Sequence, residues 1–153
     1  MIVYTLAEVI GGFLGMIISY IVLGQKIAVI KPDDLTYSGF YVFFLEATFT
    51  TIMMLNILFG KNSKLSLFSN MVPGVFGSLF GIYFCIGCIG KLTGALMNPN
   101  LGLCNILFCA AILGTKEAMP FLPALFFGPY IGSLIAALFV KYVALKTADL
   151  PKI

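Results

Sequence analysis

Apolar residues gather in four long runs along the chain, at about 2–24, 39–60, 70–90 and 120–145. Each run reaches the roughly 20 residues that a helix needs to cross the hydrocarbon core of a bilayer. A polar segment from Gly24 to Asp34 separates the first two runs, and another from Lys61 to Lys64 separates the second from the third. The pattern predicts four transmembrane helices within a single domain that covers residues 1–153.

A fifth apolar stretch, Leu92–Leu113, differs from the others because Asn98-Pro99-Asn100 interrupts it. Asparagine is a favoured helix cap and proline a favoured first residue, so we expect a new helix to begin at Pro99. About ten residues of helix, Pro99 to Cys109, are too few to cross a bilayer. The stretch therefore predicts a re-entrant loop and half-helix at about 91–110, which a membrane tolerates only where protein or a cavity surrounds it.

The overall composition agrees with a membrane location. Hydrophobic residues make up 61% of the chain and charged residues 10%, whereas soluble domains are about a quarter charged. No basic residue precedes the first apolar run, which favours a membrane span over a cleavable signal peptide. The expected fold class is an all-α integral membrane protein with four transmembrane helices and one re-entrant half-helix.

The polar residues argue against several kinds of function. All nine basic residues are lysine and there is no histidine, so the bidentate clamp of arginine and the commonest metal ligand are missing. The lysines are scattered along the chain, and we expect no nucleic-acid partner. Cys85 and Cys88 have the spacing of a metal site, but all four cysteines lie in apolar stretches and we expect small, apolar-facing thiols.

An enzyme is the third class of function to weigh. A small four-span membrane enzyme, such as a lipid or glutathione transferase, needs cationic groups to hold an anionic cofactor. The chain has no arginine for this purpose, and the sequence shows no Ser-His, Cys-His or metal-binding cluster. We therefore expect neither catalysis nor a cofactor nor a metal site.

Two carboxylates, Glu8 and Glu46, lie well inside predicted spans. An ionisable group at that depth costs several kcal/mol unless it has partners. One interpretation is a proton relay or an ion site. We favour the other, in which each carboxylate supports a loop or an interface by accepting hydrogen bonds, because the irregular backbone of the predicted re-entrant loop has donors to satisfy.

Small residues recur at spacings of four in the first and last spans. They are Gly11, Gly15 and Ser19 in the first span, and Gly128, Gly132 and Ala136 in the last. Faces of this kind let helix backbones approach closely in lipid. We expect Gly11, Gly15, Gly128 and Gly132 to lie at helix contacts.

Four segments resemble the major intrinsic proteins, the family of aquaporins and glycerol facilitators. Thr93–Asn100 is similar to the second signature loop, T-G-x-x-x-N-P-A, and Gly128–Ala137 to the sixth helix, G-P-x-x-G-A-x-x-A-A. Phe44–Thr51 is similar to the start of the fourth helix with its buried glutamate, and Tyr4–Gly15 to the third helix, Y-x-x-A-Q-x-x-G-A-x-x-G. The four matches occur in the family's order and cover nearly the whole sequence.

The resemblance implies a partial aquaporin-like fold, with helices three to six and the second half-helix. In the family, two helix N-termini meet at the pore centre and each presents an asparagine to the solute, so Asn98 and Pro99 retain one half of the pore motif. Asn100 replaces the family's alanine, and Leu101 stands where the family has the filter arginine. Ile86 stands where water channels have the filter histidine. Apolar constrictions resist wetting, so these former filter positions predict a pore that does not conduct.

The expected function is that of a degenerate, non-conducting aquaporin-like protein that serves as a structural or accessory subunit of a larger membrane complex. The sequence has no counterpart of the family's first two helices and first half-helix, so the resemblance implies that other membrane subunits, together with membrane lipids, cover that side. By analogy with energy-coupling complexes, we favour the mitochondrial inner membrane. The alternative is a water or small-solute channel that another chain completes.

Overall fold

The computed structural model describes residues 2–62, 64–65 and 71–148. Regular secondary structure in these residues is entirely helical. The helices are α1 (Ile2–Leu23), α2 (Gly39–Lys61), α3 (Met71–Thr93), α4 (Pro99–Ile112), α5 (Leu122–Phe139) and α6 (Leu145–Ala148). The predicted beginning of the third span at residue 70 lies outside the described residues.

Four of the helical segments are long and apolar enough to cross a membrane: Val3–Lys26, Gly39–Lys61, Gly74–Thr93 and Met119–Thr147. The last one contains α5 and α6, which a turn of π-helix at Val140–Ala144 joins without a break. Large apolar side chains cover the outward faces of these helices, which a soluble protein rarely allows. The prediction of four apolar, membrane-spanning helices is confirmed at this level, and it supports an integral membrane protein.

A close helix crossing brings α5 against α2. A Cβ atom added to Gly132 would collide with the carbonyl oxygen of Ala47 and would lie 2.9 Å from Thr50 Cβ. A Cβ atom on Gly128, one turn earlier, would lie 3.0 Å from Glu46 Cβ. The two glycines therefore let α5 approach the part of α2 that carries Glu46.

The first helix has a different neighbour, because α1 packs against the short helix α4. Gly12 makes the close approach there, since a Cβ atom at this position would lie 2.7 Å from Cys104 Sγ. Added Cβ atoms at Gly11 and Gly15 would meet no other described atom within 4 Å. Contact between these two glycines and another helix thus stays a prediction about neighbours of the chain.

The connection between α1 and α2 lies over α4 and the loop before it. The side chain of Asn105 in α4 accepts from Ile30 N at 2.8 Å and donates to Ala28 O at 3.0 Å, which fixes this connection by two hydrogen bonds. Further along, the Thr36 hydroxyl and then the Thr36 amide donate to Asp34 and hold the pKa of that exposed carboxyl below its usual value.

The largest group of buried apolar side chains lies where α2, α4 and α5 meet. It contains Val42, Leu96, Ile106, Ala118, Phe121, Ala124 and Leu125. Leu96 belongs to the loop between α3 and α4, so this loop is part of the core and its backbone groups need partners inside the protein.

Candidate functional site

The beginning of α4 has the cap predicted from the Asn-Pro pair. Asn98 Oδ1 accepts from the backbone amides of Asn100 at 3.0 Å and Leu101 at 3.3 Å, and Pro99 is the first residue of the helix. Proline suits that position because its fixed φ angle is helical and it has no amide hydrogen to satisfy. The predicted cap is confirmed. The helix ends at Ile112, one turn beyond the predicted Cys109.

The loop that precedes this cap, residues 94–98, has an unusual backbone. Gly94 has a φ of +95°, and Ala95 and Met97 have φ values of 49° and 45°. Left-handed conformations cost residues with a side chain about 1–2 kcal/mol each. At Gly94 a side chain is also excluded by space, because a Cβ atom would lie 2.6 Å from Ile30 Cγ2. A loop with this backbone needs support from elsewhere in the chain.

Glu46, at zero exposure on α2, supplies that support. Its Oε2 accepts from Met97 N at 2.8 Å, and its Oε1 accepts from Leu96 N at 3.1 Å and from the Thr93 hydroxyl. Hydrogen bonds to a carboxylate are roughly twice as strong as those between neutral groups. One side chain thus fixes the end of α3 and two consecutive amides of the strained loop, which is the geometry of a loop support.

The other face of the loop opens onto a groove of about 710 Å³ between α1 and the remaining helices. Its lining includes Glu8 from α1, Ile86 from α3, Tyr130 from α5, and Asn98 and Leu101 from the beginning of α4 and the residue before it. All five of these residues are exposed. The described residues therefore leave the groove open along the membrane-spanning part of the molecule.

A hydrogen bond between Glu8 and Asn100 joins α1 to the beginning of α4. Asn100 Nδ2 donates to Glu8 Oε2 across 92 residues of sequence. Asn100 is 5% exposed. Its buried Oδ1 has no hydrogen-bond partner among the described residues. The polar network at this end of α4 is therefore incomplete.

The two former filter positions also line the groove. Ile86 is 46% exposed and Leu101 45% exposed, and both contribute aliphatic side chains to the groove that Asn98 also lines. A pathway along this surface would have apolar walls at the two positions where the resemblance implies histidine and arginine. Thr5 and Ser133 supply further hydroxyl groups to the lining.

Sequence reasoning missed three residues that shape this region. Thr93 begins the segment that resembles the signature loop, but no role was expected for its hydroxyl, which donates to Glu46 and accepts from Ala95 N at 3.0 Å. Asn105 lies alone within an apolar stretch of the sequence. That isolation could have identified it as a structural residue, because a buried amide needs hydrogen-bond partners. Tyr130 lines the groove from α5, and no feature of the sequence around it indicates this position.

Within residues 2–62, 64–65 and 71–148 there is no group of three or more His, Cys, Asp or Glu side chains that could hold a metal ion. Cys85 and Cys88 are free thiols, the first buried and the second exposed. Cys85 Sγ lies 3.6 Å from Phe49 O, which suits a thiol packed against a helix.

Comparison with known proteins gives no relative: no family model, no curated protein and no solved structure matches the chain.

Proposed function

We propose that the chain is a degenerate, non-conducting aquaporin-like protein that serves as a structural subunit of a larger membrane assembly. The observation that carries the proposal is the open groove. Polar groups of Glu8 and Asn98 face it at the depth of the helices, and hydrocarbon is a poor neighbour for such groups. A neighbouring membrane protein would supply the missing cover.

Two further features support dependence on neighbours. The apolar span of α1 has only 6% of its residues buried within the chain, and added Cβ atoms at Gly11 and Gly15 would meet no other described atom within 4 Å. Lipid can cover the large apolar side chains of this helix. The small-residue face suits a second helix better, since lipid cannot fill it as closely.

The order and chemistry of the elements support the aquaporin-like part of the proposal. An asparagine caps a short helix next to the membrane spans, and a buried glutamate from the second described helix holds the loop before it. We propose that this loop and α4 form a re-entrant segment, since α4 has 14 residues and packs against α1 on one side and the core on another.

The lack of conduction is supported by Ile86 and Leu101, whose aliphatic side chains line the same groove as Asn98. Apolar narrowings resist wetting, so a partner helix laid over this surface would close it instead of completing a polar channel. A sealed subunit is compatible with a membrane that holds a proton gradient, and we extend the proposal to the mitochondrial inner membrane by analogy.

Isolation in a mild detergent tests the proposal. We expect the chain to migrate with other membrane proteins in a fixed stoichiometry, measured by blue native electrophoresis and quantitative mass spectrometry. Recovery as a free monomer, or as a homotetramer, would rule out an accessory subunit.

A further inference from the structure

Glu8 is an exposed carboxylate inside a membrane span. It is the seventh residue of α1, which places it about 9 Å along the helix from its first residue. Its one hydrogen bond within the described residues comes from the Asn100 amide, and no lysine of those residues lies within ion-pair distance of it. A carboxylate at this depth requires a partner, because its charge is costly to hold in hydrocarbon.

The groove around Glu8 has the composition of a helix-docking surface. Met53, Met54, Ile82, Ile86 and Leu101 provide an apolar wall. Its polar groups include Glu8, Asn98 and Asn100, which meet at the beginning of α4, and the hydroxyl groups of Thr5, Tyr130 and Ser133. An apolar helix that carries one polar side chain at the matching height would satisfy both parts of the lining.

The charge of that side chain follows from the groups already present. A carboxylate offers about four acceptor positions, and Asn100 occupies one. Lysine and arginine are the side chains that bring several donors together with a positive charge. The site therefore calls for a cation and not for a second carboxylate or an apolar residue.

A second copy of the chain does not meet this requirement. Among the described residues, Lys141 is the lysine that lies furthest inside a span, and its Nζ already lies over the ring of Tyr142, 5.0 Å from the ring centre. The α1 helix of another copy would bring another Glu8. Lipid tails offer no donors. A helix of a different protein remains as the occupant that fits.

We propose that the groove receives a transmembrane helix of a partner subunit whose lysine or arginine side chain pairs with Glu8. This inference rests on the proposed role as a subunit of an assembly and adds the chemistry of the contact. Paired charges inside the membrane would also fix the register of the two helices, since the cation must stand at the height of Glu8.

Site-specific photo-crosslinking in native membranes tests the occupant. The photoreactive residue benzoylphenylalanine is placed at position 101 in the groove or, as a control, at position 80, where Phe80 is 77% exposed and lies outside the groove lining. We expect position 101 to link to an apolar membrane segment of another protein with a lysine or arginine within one helical turn, and position 80 not to do so. Links from position 101 only to lipid, to another copy of the chain, or to a segment without a cation would overturn the inference.

Variants of Glu8 test the charge itself in the isolated assembly. Glu8→Gln keeps an acceptor for Asn100 and removes the charge, and we expect recovery of the crosslinked partner to fall at least about tenfold, because truncating one member of a buried charged pair is strongly destabilising. Glu8→Lys should lose the partner and regain it when the partner's cation is replaced by glutamate. The control Glu117→Gln, at the exposed ion pair with Lys31, should retain it.

The outcomes separate this inference from the proposed function. If the chain stays in its assembly while Glu8→Gln changes nothing, the cationic helix is wrong and the accessory role stands. If the wild-type chain migrates alone, both are wrong.

Discussion

Replacement of Glu46 by glutamine tests whether this carboxylate holds the strained loop at residues 94–98. The native carboxylate accepts the amides of Leu96 and Met97 at 3.1 and 2.8 Å, one on each oxygen. Glutamine has nearly the same shape but keeps a single oxygen, so one of the two amides faces an NH₂ group. A buried donor left without an acceptor costs about 1–3 kcal/mol.

Hydrogen exchange measures this loss at the place where it occurs. An opening free energy that falls by about 1–3 kcal/mol corresponds to exchange that is about 5- to 150-fold faster, at 1.4 kcal/mol per factor of ten. The assay is exchange mass spectrometry on the isolated assembly, read on peptides that span residues 94–101. The increase should be confined to this loop and its immediate contacts, since the backbone of α2 does not depend on the carboxylate.

Two variants frame the result for Glu46→Gln. Glu46→Ala removes both acceptors, and the loss of two bonds predicts about 2–6 kcal/mol. Glu117→Gln removes an exposed charge whose ion pair is worth at most about 1 kcal/mol, so loop exchange should change by less than about fivefold. Loop amides that exchange equally slowly in wild type and Glu46→Gln would refute the view that this carboxylate holds the loop.

Three further results are expected from the geometry. Gly132→Ala should destabilise the chain by about 1–3 kcal/mol through forced separation of α5 from α2. Gly11→Ala should not lower the unfolding temperature of the chain, because its position within the chain is open and alanine is favoured over glycine inside a helix. Gly94→Ala should lower the thermal stability of the assembly, because its φ of +95° and its 2.6 Å approach to a neighbouring side chain both exclude a methyl group. Thr36→Val should raise the pKa of Asp34, measured by NMR of the carboxyl carbon, because the Thr36 hydroxyl is the main group that lowers this pKa. The stability that this turn contributes is present above the unfolded-state pKa and is lost as the pH falls through the folded-state pKa.

The long helices and the cap of α4 were predictable because each depends on neighbouring residues in the sequence. A run of apolar residues sets the length of a span without reference to the rest of the chain. An Asn-Pro pair likewise contains both the cap and the first residue of a helix. The ends moved by a few residues: α4 continues to Ile112, and the last span continues through a π-helical turn.

The features that were not predictable depend on residues far apart in the sequence. Ala95 and Met97 adopt positive φ angles without being glycine, and the carboxylate that supports the loop lies about 50 residues earlier. The choice among the glycines of α1 depends on the face that α4 covers, and only Gly12 makes that contact. The spacing of small residues identifies a helix face that can pack closely, but it does not identify the helix that packs against that face.

The candidate site was predictable in part. The resemblance grouped Ile86, Asn98 and Leu101 as pore positions, and the structure places them on one groove. The hydrogen bond between Asn100 and Glu8 could not be predicted, because 92 residues separate them and no local pattern pairs α1 with α4. Because this contact places a carboxylate in the groove, we interpret the groove as a surface for a neighbouring helix instead of a solute pathway.

Water permeability tests the central claim most directly. The isolated assembly is reconstituted into proteoliposomes, and the rate of osmotic volume change is measured by stopped-flow light scattering for wild type, Asn98→Leu and Asn98→Asp. The aspartate variant keeps a cap for α4 and removes the amide donor, so it separates folding from conduction. A non-conducting subunit predicts the same slow rate in all three preparations. Rapid swelling in wild type that both variants abolish would contradict this account and establish a channel completed by a partner.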